Sequence, residues 1–231
     1  MARESESLIE RQLKTPRAAA IAGILFAVLF GTSWVLIRLS IPVDALTSSD
    51  WLDVQAKNLA LAMSLVPFAG IAFLWFMGVV RDRMAHHEDQ FFSTLFFGSG
   101  YLYLGMTFAS AAAIGSVLIL YSSGPSLPVV SEVYSLALII SNRLNSVYAM
   151  RMAGAFMTVL GTIWVRTGVM PRWLAVITYL LAAVLLISIG FTPWVILVFP
   201  GWVLTISVAI LILNYRHSRE QKGPDGLSLA G

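Results

Sequence analysis

Cysteine is absent from the 231 residues, and with it go disulfide frameworks, thiolate zinc sites, iron–sulfur ligation and cysteine nucleophiles. Charge is scarce as well: 12% of the residues are Asp, Glu, Lys or Arg, where a soluble domain carries about a quarter. Alternating polarity, the mark of membrane β-strands, is also missing; the apolar runs are continuous for about twenty residues, the length of a spanning helix. What is present is apolar surface. At 58% hydrophobic, a water-soluble fold of this length has no means of hiding it, so lipid is the solvent for most of the chain. The net charge of +3 gives no argument for nucleic acid, because basic residues at the cytoplasmic ends of spans produce the same balance.

Residues 66–105 organise the rest. Two apolar runs flank a polar decapeptide, RDRMAHHEDQ, the pattern of a membrane hairpin with its turn in water. The expected architecture is an all-α membrane protein, a six-transmembrane-helix bundle with spans at about 18–37, 58–80, 91–121, 145–165, 173–189 and 194–213. Residues 1–17 form a polar cytoplasmic segment, either a short surface helix or a flexible tail, and residues 214–231 a disordered cytoplasmic tail. Residues 122–142 begin with SSGPSLP and read as a short helix lying on the membrane or half inserted. Pro67 is expected to kink the second span, and Pro200 with Gly201 to interrupt the last.

Counting basic residues orients the bundle. With both termini and the loops at Arg81 and Arg166 on one side, that side holds eleven Lys and Arg residues against four on the other. The positive-inside rule then puts both ends in the cytoplasm, in a plasma membrane of bacterial type. In the turn, Arg81 and Arg83 complement the negative end of one helix while Glu88 and Asp89 complement the positive start of the next, so its charge order needs no ligand.

Ionisable residues inside a membrane are the first place to look for function. Within the ends of these spans there is no Asp, Glu, His, Asn or Gln. Proton relays and b-type haem therefore lack their parts, and no cofactor is expected. Arg151 is the exception, about one and a half turns inside the outer end of the fourth span. With Arg143, Arg38 and Lys57 it forms an outer set of cations that Glu132, Asp53, Asp44 and Asp50 match in number. The set reads either as structural ion pairs, Arg151 with Glu132 among them, or as an anion or lipid-headgroup site; the structural reading is favoured because each cation has a carboxylate nearby in sequence. His86 and His87 are adjacent and point apart, and no second histidine cluster has ligand spacing, so no metal site is expected. The serines and threonines of the spans have no His or Lys at their depth to activate them, and phosphate-binding and dinucleotide motifs are absent.

The stretches LVPFAGIAFLWFMGVVRDRMAHHEDQFFSTLFFGSG, RTGVMPRWLAVITYLLA and WVILVFPGW resemble an uncharacterised group of actinobacterial multi-pass membrane proteins. The resemblance implies a plasma-membrane protein of bacterial type and brings no activity and no functional residue. Two functional readings remain. In the first the protein is non-enzymatic and works by helix packing with itself or a membrane partner, through Gly98, Gly105 and Gly115 of the third span and Gly154 and Gly161 of the fourth. In the alternative it is a small carrier or channel for an apolar or anionic solute or lipid, with Arg151 as a fixed charge. An enzyme ranks third, since the titratable clusters lie in loops.

Overall fold

The computed structural model describes residues 2–42, 51–84, 90–122, 128–168, 171–187 and 193–220. Every element among them is helical: α1 (Ala2–Ser40), α2 (Trp51–Met84), α3 (Gln90–Ser122), α4 (Pro128–Arg143), a π-helical segment (Leu144–Ala149), α5 (Met150–Thr167), α6 (Arg172–Ile187), a 3-10 turn (Pro193–Leu197) and α7 (Val198–Glu220). Helix is the expected outcome for apolar segments in lipid, because it alone satisfies a lone segment's backbone groups internally. Five stretches are long and apolar enough to cross a membrane: Ala18–Ser40, Trp51–Arg81, Gln90–Ser122, Glu132–Thr167 and Trp194–Ile212. The fifth expected span, at 173–189, corresponds to α6, which has 16 residues. That is about 24 Å of helix, less than a hydrocarbon core of about 30 Å. The surface fits lipid: Trp75, Ile119 and Ile187 are each about 70% exposed, a distribution that water would penalise.

Three boundaries differ from the sequence expectation. Helix α1 begins at Ala2, so the polar first residues continue the first apolar run. Helix α7 reaches Glu220, seven residues past Leu213. Pro200 does not interrupt it. It falls in the first turn, where a missing N–H leaves no hydrogen bond broken, and the chain irregularity lies before it in the 3-10 turn. Pro67, by contrast, is inside α2. The turn expected at residues 166–172 is closed by Gly168, whose φ of 65° and N–H bond to the Trp164 carbonyl at 3.0 Å end α5 in the left-handed conformation that glycine takes without strain.

The largest difference concerns residues 129–141, which the sequence suggested as a surface or half-inserted helix. Helix α4 packs along α3 and passes through the π segment directly into α5, so Glu132–Thr167 is one helical rod. Ser110 and Ser141 fasten it, their hydroxyls 2.8 Å apart and the Ser110 hydroxyl donating to the Ser141 carbonyl at 3.0 Å. The SSGPSLP breaker at the head of this stretch falls mostly outside the described residues.

Helix α1 packs along α2 and α7, α3 joins α2 to the α4–α5 rod, and α6 lies on α5. The core is aromatic. Phe26, Phe73, Tyr103, Phe156 and Phe199 come from five helices, with ring centroids 4.6 Å apart for Tyr103 and Phe199, 4.9 Å for Phe26 and Phe73, and 5.4 Å for Phe73 and Phe156. At one end of the bundle Arg81 stacks over Phe97 at 5.2 Å and Arg166 over Phe92 at 4.5 Å, so the two basic loops gather at the same end of α3.

The candidate packing glycines divide into two groups. A Cβ on Gly154 would meet Leu186 Cγ at 2.9 Å and the Ala182 carbonyl at 3.1 Å, and one on Gly161 would touch Thr178 and Tyr179, so both let α5 approach α6. Gly98, Gly105 and Gly115 would meet nothing within 4 Å. The close approaches inside the bundle also use Gly23 against Ser207 and Phe76, Gly70 against Phe108, and Gly100 against Met77. Gly154→Ala is expected to destabilise by about 1–3 kcal/mol through overpacking. Gly105→Ala should stabilise by about 0.5 kcal/mol through helix propensity. Thermal unfolding of the two variants in one detergent measures the contrast; equal effects would contradict this packing.

Candidate functional site

Between α1, α3, α4 and the π segment lies a cleft of about 280 Å³. Its walls come from sequence positions that helical geometry aligns. On α1, Trp34, Ile37, Arg38 and Ile41 recur at helical spacing; opposite, Leu138, Ser141, Asn142 and Asn145 do the same; Ile114 of α3 closes the gap. At its inner end a narrow extension of about 10 Å³ reaches Ser33, Thr107 and Ser110, and Asn145 lines both spaces. That extension has room for a group about the size of one water molecule.

Buried polar groups in this bundle are mostly paired. Ser33 donates to the Ala62 carbonyl at 2.8 Å, Ser110 pairs with Ser141, and Trp202 Nε1 donates to Thr178 Oγ1 at 2.9 Å. Five buried side-chain atoms among the described residues have no protein partner: Trp51 Nε1 and Ser207 Oγ away from the cleft, Tyr103 Oη, and Thr107 Oγ1 and Asn145 Oδ1 on residues that line the cleft or its extension. Asn145 is 5% exposed and its Oδ1 has no protein partner; Thr107 is 4% exposed and its hydroxyl is unpartnered too. The Tyr103 hydroxyl lies one turn from Thr107 on α3, close enough to interact, yet neither completes a hydrogen bond of good geometry. Each unpaired buried group costs about 1–3 kcal/mol. The cost falls where the backbone is also irregular: Asn145 is the second residue of the π-helical segment, a distortion that recurs at functional sites.

Arg38 is half-buried at the mouth, and its Nη1 donates to the Ile41 carbonyl at 3.4 Å, a long bond. No acidic residue lines the cleft among the described residues. The other members of the expected outer cluster are scattered. Arg143 is exposed at the end of α4, Lys57 and Asp53 are exposed on α2, and Glu132 is exposed near the start of α4. Arg151 is half-buried on α5, and no carboxylate pairs with it among the described residues. Because α4 and α5 form one rod, Glu132 is about 28 Å from Arg151 along the helix, too far to pair within the chain. Asp44, Asp50, His86, His87, Glu88 and Asp89 lie outside the described residues. Among the described residues there is no group of three His, Asp or Glu that could hold a metal.

Sequence reasoning thus found Arg38 and missed Asn145, which it used as a span boundary. The available signal was the face Leu138, Ser141 and Asn145, polar at helical spacing yet continuous with the apolar rod.

Together the helices and the cleft define a class: among the described residues an all-α protein with five stretches long and apolar enough to cross a membrane and a cleft with polar lining residues between its helices. No family model, curated protein or solved structure matches the chain.

Proposed function

We propose that this is a six-span plasma-membrane protein of bacterial type, with both termini in the cytoplasm, that binds a small solute or lipid group in the cleft between α1, α3 and α4. The observation that carries the reading is Asn145, a buried side-chain amide whose oxygen has no protein partner and which lines the cleft. Of the five buried side-chain atoms without a protein partner among the described residues, Asn145 Oδ1 belongs to the one residue that lines the main cleft, where a ligand can bond it. The basic-residue asymmetry puts the mouth of the cleft on the outer side. Binding, as a carrier or receptor does it, is preferred to catalysis, because no nucleophile and base share the cleft among the described residues.

The lack of native cysteine makes the test clean. Ile114→Cys, buried but on the cleft wall, is expected to react with a small water-soluble methanethiosulfonate reagent added to intact cells. Ile206→Cys, equally buried but away from the cleft, should stay unreacted. Equal protection of both would remove the cleft as a binding site, and reaction at position 114 only in inverted vesicles would reverse the orientation.

A second reading has its own observation. The small size of Gly98, Gly105 and Gly115 is not required by packing within the chain, which suits a seam with a second copy or another membrane protein. Cross-linking in native membranes from a cysteine at Ala109, on the same exposed stripe, tests it: a covalent dimer supports the seam, and its absence removes it.

A further inference from the structure

We propose that the ligand of this cleft is a small hydroxylated anion: a phosphate or carboxylate that sits against Arg38, carrying a hydroxyl group that donates to Asn145 Oδ1. This rests on the binding reading above. Each part of the ligand follows from a part of the cleft. At the mouth Arg38 is half-buried, makes a long bond to Ile41, and faces no acidic lining residue among those described. A guanidinium fork in that setting favours a carboxylate or phosphate, which it can bond in two places at once. At the floor the Asn145 Oδ1 has no protein partner, and a donor from a ligand would satisfy it. A hydroxyl supplies one at little desolvation cost. An ammonium fits less well, because the described lining residues include no carboxylate to offset its charge. Between the two ends Trp34, Ile37, Ile114 and Leu138 give an apolar wall for a short carbon skeleton.

Size and surroundings narrow the ligand further. A volume of about 280 Å³ is at the low end for small-molecule sites, enough for a head group or a compact solute. Beside the mouth Leu39, Ile139 and Ile140 are exposed, an apolar rim on which acyl chains could lie. The same recognition chemistry therefore serves two sources, a glycerophosphate head group on a lipid and a free glycerol phosphate.

Two measurements on the full chain separate these sources. Native mass spectrometry from mixed micelles compares retention of phosphatidylglycerol, phosphatidylcholine and phosphatidylmethanol, the last keeping the negative charge and lacking the head-group hydroxyls. Calorimetry in phosphatidylcholine nanodiscs follows glycerol 1-phosphate, with glycerol as the uncharged control. For a lipid ligand the expected result is at least tenfold preference for phosphatidylglycerol over both other lipids. Arg38→Gln should abolish the preference over phosphatidylcholine, and Asn145→Leu the preference over phosphatidylmethanol. For a free ligand the same two substitutions should each weaken glycerol 1-phosphate binding at least tenfold, with no lipid preference. Leu138→Trp, which fills the cleft and spares both polar residues, should abolish either. Binding of glycerol that depends on Asn145, with no anion binding that depends on Arg38, would overturn the anion and leave the cleft as a site. Binding insensitive to all three variants, with each variant folded by thermal unfolding, would overturn both.

Discussion

Phe156→Ala is expected to lower the unfolding free energy by about 3 kcal/mol, the low end of the range for emptying a buried aromatic site. The side chain is fully buried on α5, with its ring centroid 4.7 Å from Phe96, 5.4 Å from Phe73 and 5.9 Å from Phe199. It thus joins the rod to α2, α3 and α7 at once. In lipid the loss comes from forfeited packing contacts more than from water exposure, since lipid tails are as apolar as the core. That is why the low end of the range applies. Unfolding in mixed micelles with a denaturing detergent measures it, and a loss below about 1 kcal/mol would mean that the aromatic cluster is not the structural centre.

Asn145→Leu is expected to act in the opposite direction, raising stability by about 1–3 kcal/mol while weakening ligand binding. Leucine has the same number and branching of side-chain heavy atoms as asparagine and leaves no unpaired amide at the floor of the cleft. A side chain kept only for structure would give the reverse, because removing a satisfied polar group from a helix bundle costs stability. The opposed signs of Asn145→Leu and Phe156→Ala distinguish a residue retained for binding from one retained for packing.

Much of the fold was legible in the sequence because continuous apolar runs have one physical solution in lipid. The separation of α2 from α3 and the short turn after Arg166 follow from local patterns, a polar decapeptide and the run from Arg166 to Pro171 and Arg172. The long rod was not legible. SSGPSLP and the polar residues Ser141, Asn142 and Asn145 read as an interruption, whereas Ser141 is paired with Ser110 across to α3 and the π segment absorbs the irregularity. A serine bonded to a partner 31 residues away leaves no local trace. Arg151 drew attention because charge within an apolar run is visible in one dimension. Asn145 did not, because its importance depends on which neighbours come to face it.

Arg81 and Arg166 stack on α3 at one end of the bundle. The cleft lies toward the other end of α1, around Arg38. Function and topological anchoring are thus assigned to opposite ends of the same bundle.

Thermal unfolding of wild type and Asn145→Leu, each with and without phosphatidylglycerol in a phosphatidylcholine background and with and without glycerol 1-phosphate, tests the central claim most directly. The account predicts that the variant melts higher than wild type without ligand, and that one of the two ligands raises the wild-type midpoint and raises the variant's by less. A variant that melts lower than wild type and responds to the same ligand as fully as wild type does would contradict it.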